Sequence, residues 1–98
     1  MIVVTGSVSA KPEGFDEARR LSLEHVRRSR AEAGCLSHAV HVDCENPLRL
    51  VFVERWETMQ ALQAHFAVPA SREFTRALRP LADKVTIEVY DAAPVKIG

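Results

Sequence analysis

Ninety-eight residues, 47% of them apolar and 27% charged, describe a single globular domain over residues 1–98 rather than a disordered, fibrous or membrane-spanning chain. Thirteen basic residues balance thirteen acidic ones, so there is no cationic field for nucleic acid. The short cluster Arg27-Arg28-Ser29-Arg30 fits a helix C-terminus, where cations oppose the dipole charge. Met1 to Gly6 lacks the pattern of a signal peptide, so cytoplasmic residence is expected.

The stretch Ile2 to Ala10 is rich in β-branched residues and ends at the turn signal Lys11-Pro12-Glu13-Gly14, which predicts a strand. From Phe15 to Ala33 the period changes. Phe15, Ala18, Ser22, Val26 and Ser29 recur at helical spacing, and Gly34 stops the helix. Leu36 to Asp43 alternates again, Asn46-Pro47 marks a turn, and Leu48 to Glu57 is the strongest strand pattern. Thr58 can cap a helix with Met59, Leu62, His65 and Phe66 on one face. Pro69 interrupts it before Ser71, the expected cap of another helix carrying Phe74, Ala77, Leu78 and Leu81, which Pro80 should kink or shorten. Val85, Ile87 and Val89 then alternate with polar residues in a final strand.

Two βαβ halves in series predict an α+β, ferredoxin-like βαββαβ domain with a split second helix, its helices on one face of an antiparallel sheet. Ile2-Val3-Val4 and Leu50-Val51-Phe52-Val53 put apolar side chains on both sheet faces. That pattern belongs to sheets covered on both sides, so a homodimer packed sheet to sheet is expected. A core of this size needs such support, since a disulfide or a structural metal finds no suitable geometry.

Cys35, His38, His41 and Cys44 are spaced like zinc ligands. On a strand, however, residues three apart face opposite ways, and the two cysteines are separated by roughly 30 Å at ~3.3 Å per residue. No metal site and no disulfide are expected there. Cys35 has no cationic neighbour to lower its pKa, so it reads as a small packing residue. His25, on the flank of the first helix's apolar face, reads as structural, and no glycine-rich phosphate loop exists.

Phe52, Glu54 and Trp56 share one strand face, followed by His65 on the apolar face of the next helix. A carboxylate beside two aromatics is costly to bury unless it is answered by a partner. With an imidazole nearby, such a set suits binding and deprotonation of a planar phenolic molecule. His38 and His41 lie on opposite strand faces, so only one can reach a given pocket.

The run Gly34-Cys35-Leu36 to Val40-His41-Val42-Asp43, the strand end Glu54-Arg55-Trp56-Glu57 and the helix Ala61-Leu62-Gln63-Ala64-His65-Phe66 resemble the antibiotic biosynthesis monooxygenase family, whose members form dimeric α+β barrels. The resemblance covers nearly all of the chain. It implies a cavity between sheet and helices, no metal or flavin cofactor, and oxidation of a small quinol or anthrone-like polyketide by O2. On that reading His65 or His41 is the base, Glu54 its proton partner and Trp56 a stacking wall, with Thr5, Phe52, Leu62 and Phe66 as substrate contacts. Phe52 stands where some polyketide oxygenases carry asparagine. Thr5, His65 and Thr75 replace the asparagine, tryptophan and axial histidine of haem-degrading relatives, which disfavours haem. Two rival readings are an isomerase acting through an enolate on a small carbonyl or phosphorylated compound, and a non-catalytic dimeric binding or stress protein.

Overall fold

Alternation along Ile2–Ala10 makes the first strand, β1, whose Ile2, Val4 and Val8 turn inward while Val3, Thr5 and Ser9 turn outward. The computed structural model describes residues 1–98. Helix α1 spans Phe15–Ser29 and buries Ala18, Ser22, His25, Val26 and Ser29, one stripe at helical spacing. It ends four residues before the expected Ala33. Arg30 N–H still bonds Val26 O at helical spacing, and the three-residue bonds Ala31 N–H to Arg28 O and Glu32 N–H to Ser29 O then wind the chain out of the helix. Gly34, at φ +81°, completes the reversal in a conformation that glycine adopts without a side-chain penalty.

Strands β2 (Cys35–Asp43) and β3 (Asn46–Trp56) form a hairpin. The expected turn at Asn46-Pro47 is displaced to Cys44-Glu45, because the Asp43 carboxylate accepts the Glu45 N–H at 2.8 Å and closes the chain earlier. Helix α2 (Met59–Ala67) starts as expected, with the Thr58 hydroxyl accepting the Ala61 N–H at 3.1 Å. Helix α3 (Pro69–Leu78) differs. Pro69 occupies its first turn and Val68 its cap, which places Ser71 inside the helix with a buried hydroxyl instead of at its start. A 3-10 turn at Arg79–Leu81, built on Pro80, ends α3 and leads into strand β4 (Ala82–Asp91).

The sheet order is β2-β3-β1-β4 with every neighbour antiparallel, the ferredoxin-like α+β topology with a split second helix. All three helices lie on the inner face: α1 packs on β2 and α3, and α2 on β3 and α3. One apolar cluster gathers Val8, Ala18, Val26, Leu50, Phe52 and Leu78, and a second gathers Ile2, Val4, Trp56 and Leu62. Glu54 separates them on β3, between Phe52 and Trp56. No helix is long and apolar enough to cross a membrane.

Candidate active site

The gap between the two apolar clusters is filled by polar side chains from four elements. His25 comes from α1, His38 from β2, Glu54 from β3 and His65 from α2, and all four are buried. Sheet register sets His38 opposite Glu54, so pairing of β2 with β3 brings imidazole to carboxylate. The ring centres of His25, His38 and His65 form a triangle with sides of 5.3, 5.1 and 5.5 Å.

Each group is held differently. Trp56 donates its indole N–H to Glu54 Oε1 at 2.9 Å, and His38 Nε2 approaches the same oxygen at 3.2 Å. The His38 contact is off-line for a hydrogen bond, since both of its ring nitrogens lack an aligned partner, so its contribution is that of charge and dipole. Burial works to raise the Glu54 pKa, but His38, the Trp56 N–H and His65 outweigh it and hold the carboxyl below its usual range. Glu54 is therefore an anion at neutral pH. His65 Nδ1 lies 2.9 Å from Glu32 Oε1. A carboxylate only accepts, so Nδ1 is protonated, and whenever the ring carries a single proton the lone pair is on Nε2.

His25 stacks on Phe74 with centres 4.1 Å apart, and Arg28 Nη2 lies 3.0 Å from its Nδ1. Because arginine only donates, the His25 proton sits on Nε2. Burial, then the charge that His38 and His65 carry when protonated, then that of Arg28, push its pKa down to about 3, so the ring is neutral at physiological pH. Burial and the nearby Glu32 and Glu54 raise the Cys35 thiol, which makes it a poor nucleophile.

A cavity of about 470 Å³ opens between sheet and helices, lined by Phe52, Glu54, Val85 and Ile87 on one side and His25, His65, Phe66, Phe74 and Leu78 on the other. Of the residues singled out in the sequence, Glu54, His65, Phe52 and Phe66 meet at this cavity. Trp56 and Leu62 do not line it; both are fully buried and pack together behind it. Trp56 therefore fixes Glu54 and flanks His65, with ring centres 4.7 Å apart, and offers no stacking surface. Thr5 sits on the outer sheet face, in register with Val53 and Glu88. His41 is exposed on that same face, opposite Val51, because strand alternation sends His38 inward in its place. Glu32, His25 and His38 are the site members that sequence reasoning missed. No local spacing links them, although the turn before Gly34 and the inward parity of His38 carry part of the signal.

A four-stranded antiparallel sheet under three helices, with an imidazole and carboxylate cluster lining the cavity between the layers, defines a ferredoxin-like α+β domain built around an interior site. Residues 1–77 match the antibiotic biosynthesis monooxygenase family, and the chain belongs to it. An uncharacterized protein of Synechocystis is 33% identical over 93 residues, which is 94% of this chain and 63% of that protein, so the chain spans less than two thirds of that relative's length. A proposed antibiotic biosynthesis monooxygenase of Deinococcus radiodurans superposes with a TM-score of 0.94 at 28% identity, covering 99% of this chain and 97% of that one. A conserved protein from Methanosarcina mazei Go1 gives 0.87 at 28% identity, covering 91% and 89% respectively.

Proposed function

We propose that this chain is a cofactor-independent monooxygenase that oxidises a small quinol or anthrone-like aromatic with O2. The observation that carries this reading is His65 at the cavity wall with its Nδ1 paired to Glu32, a carboxylate that fixes the imidazole tautomer and leaves Nε2 as the proton acceptor. Phe52, Phe74 and Ile87 give the ring of the substrate an apolar seat. His65 takes a proton from the substrate, and Glu32 stabilises the imidazolium that forms. The resulting anion passes one electron to O2, and radical and superoxide combine to a peroxide. His65 returns its proton to the peroxide; loss of water with the hydrogen that remains on the oxygenated carbon leaves a carbonyl, so one oxygen atom enters the substrate and the other leaves as water. Glu54, already an anion beside Trp56 and His38, stabilises cationic character on the imidazoles through these proton transfers.

Oxygen uptake and quinone absorbance across a panel of hydroquinones and anthrones test the proposal. We expect turnover by the wild type and a loss of about 100-fold or more in kcat for His65→Gln, the size of a general-base contribution. Absence of oxygen uptake across the panel overturns the oxygenase reading, and undiminished turnover in His65→Gln overturns the assignment of the base.

One observation favours a second reading. Arg72 and Arg79 also line the cavity and neither is engaged in an ion pair, which supplies the basic groups that an isomerase would need for a phosphorylated or carboxylated substrate. Anaerobic exchange of a substrate α-proton with deuterium, with no oxygen consumed under air, would select it. For either reaction we propose a homodimer joined through the outer sheet face.

A further inference from the structure

We propose that His25, His38 and His65 form a binding site for a zinc-type transition-metal dication, one ring nitrogen from each, with the remaining coordination position open to the cavity. This goes beyond the oxygenase reading, which uses none of its ligands as a set.

Three buried histidines from three separate elements converge so that their candidate ligand atoms all lie within 4.8 Å of one another. Tetrahedral zinc, with Zn–N of about 2.1 Å, needs ligand nitrogens about 3.4 Å apart. The widest of these separations must therefore close by up to about 1.4 Å when a metal binds. His38 provides an independent pointer to a ligand. Its side chain is fully buried, Nδ1 has no partner, and Nε2 has only the off-line approach of 3.2 Å to Glu54 Oε1, an arrangement that buried polar atoms in folded proteins rarely keep. His65 is oriented as metal-bound histidines are, its Nδ1–H given to a carboxylate and its Nε2 left free. Neutral imidazoles suit zinc, copper, nickel and iron, and three protein ligands with an open fourth position are the pattern of accessible zinc sites.

Arg28 is the opposing feature. Its bond to His25 Nδ1 holds the proton on Nε2, so His25 can ligate only after Arg28 withdraws, either freeing Nδ1 or allowing the proton to move there. The same Nη2 also donates to Ala70 O at 3.2 Å, so Arg28 is tethered to α3 as well as to His25. Removing it should strengthen metal binding.

The test uses tag-free, chelator-treated full-length protein without substrate, titrated with Co2+ by visible absorption and with Zn2+ by calorimetry. We expect one equivalent per chain and a d–d band of tetrahedral intensity. Affinity should fall at least 100-fold in His38→Phe and in His65→Gln, stay unchanged in His41→Ala and Cys44→Ser, and rise in Arg28→Met. X-ray absorption on the wild type should count three imidazoles, which keeps the test valid even if a histidine variant fails to fold. Absence of stoichiometric binding, a count of fewer than three imidazoles, or an Arg28→Met affinity no tighter than the wild type's each overturns the proposal. Metal on His65 Nε2 removes the proton acceptor, so Zn2+ should inhibit any oxidation. The binding assay contains no substrate, so loss of the oxygenase reading leaves this one standing, and the reverse.

Discussion

A carboxylate on the inner face of a sheet costs several kcal/mol unless its charge is answered, and the answer at Glu54 comes from an indole and an imidazole instead of an arginine. The strand alternation of Phe52, Glu54 and Trp56 made this carboxylate legible in the sequence. What alternation could not supply was the direction of the indole N–H, and so the difference between a stacking wall and a hydrogen-bond donor. His25 was illegible for another reason. Its helix position looked structural, and only the crossing of α1 over β2 brings it against His38 and His65. Its depressed pKa has a consequence for stability. The unfolded ring takes up a proton below pH 6.5 that the folded ring refuses until about pH 3. Stability is therefore complete above pH 6.5 and is lost as pH falls toward 3, by up to about 1.4 kcal/mol per pH unit. The groups facing His25 are His38, His65 and Arg28. Denaturant melts in chelator between pH 7 and pH 4 should show a shallower slope for His25→Phe than for the wild type. Equal slopes would mean that the ring titrates freely.

At the scale of elements, strands and helices were readable because their periods of 2 and 3.6 are set by side-chain burial along one segment. Their ends were less so, because turn chemistry competes with periodicity. Asp43 closed the β2–β3 hairpin before Asn46-Pro47 could, and Pro69 started α3 before Ser71 could. Gly34 is the turn on which the site depends. Its carbonyl accepts the Glu57 N–H at 2.8 Å, and a Cβ built on it would lie 2.5 Å from the Cβ of Ala61 in α2. Gly34→Ala therefore forces both a left-handed backbone on alanine and a displacement of the helix that carries His65. We expect about 2 to 3 kcal/mol of destabilisation, measured by urea unfolding. Whatever folded protein remains should also lose turnover. An alanine variant as stable as the wild type would show that α2 yields at no cost.

At the scale of the molecule, only eleven apolar side chains are buried, divided between two clusters by the polar strip that forms the site. A chain of this length with so interrupted a core gains from further burial, and its outer sheet face offers it. Val3, Val51 and Val53 lie there, on the two central strands, where no helix crosses, and Val53 is 40% exposed. Val95 and Ile97, exposed at 81% and 91%, add apolar surface on the last residues of the chain. A second copy packed on this face would cover the valines and leave the inner cavity untouched, so assembly and site can be separated by experiment. Val53→Asp places a charge at the centre of the expected contact without touching the inner core. Sedimentation at micromolar concentration should give a dimer for the wild type and a shift toward monomer for this variant, with far-UV circular dichroism unchanged. Its thermal midpoint should become lower and less dependent on protein concentration, because the burial shared between subunits is what it has lost. A wild type that sediments as a stable monomer would mean that the sheet's outer valines are left to water, and the sheet-to-sheet assembly would have to be abandoned.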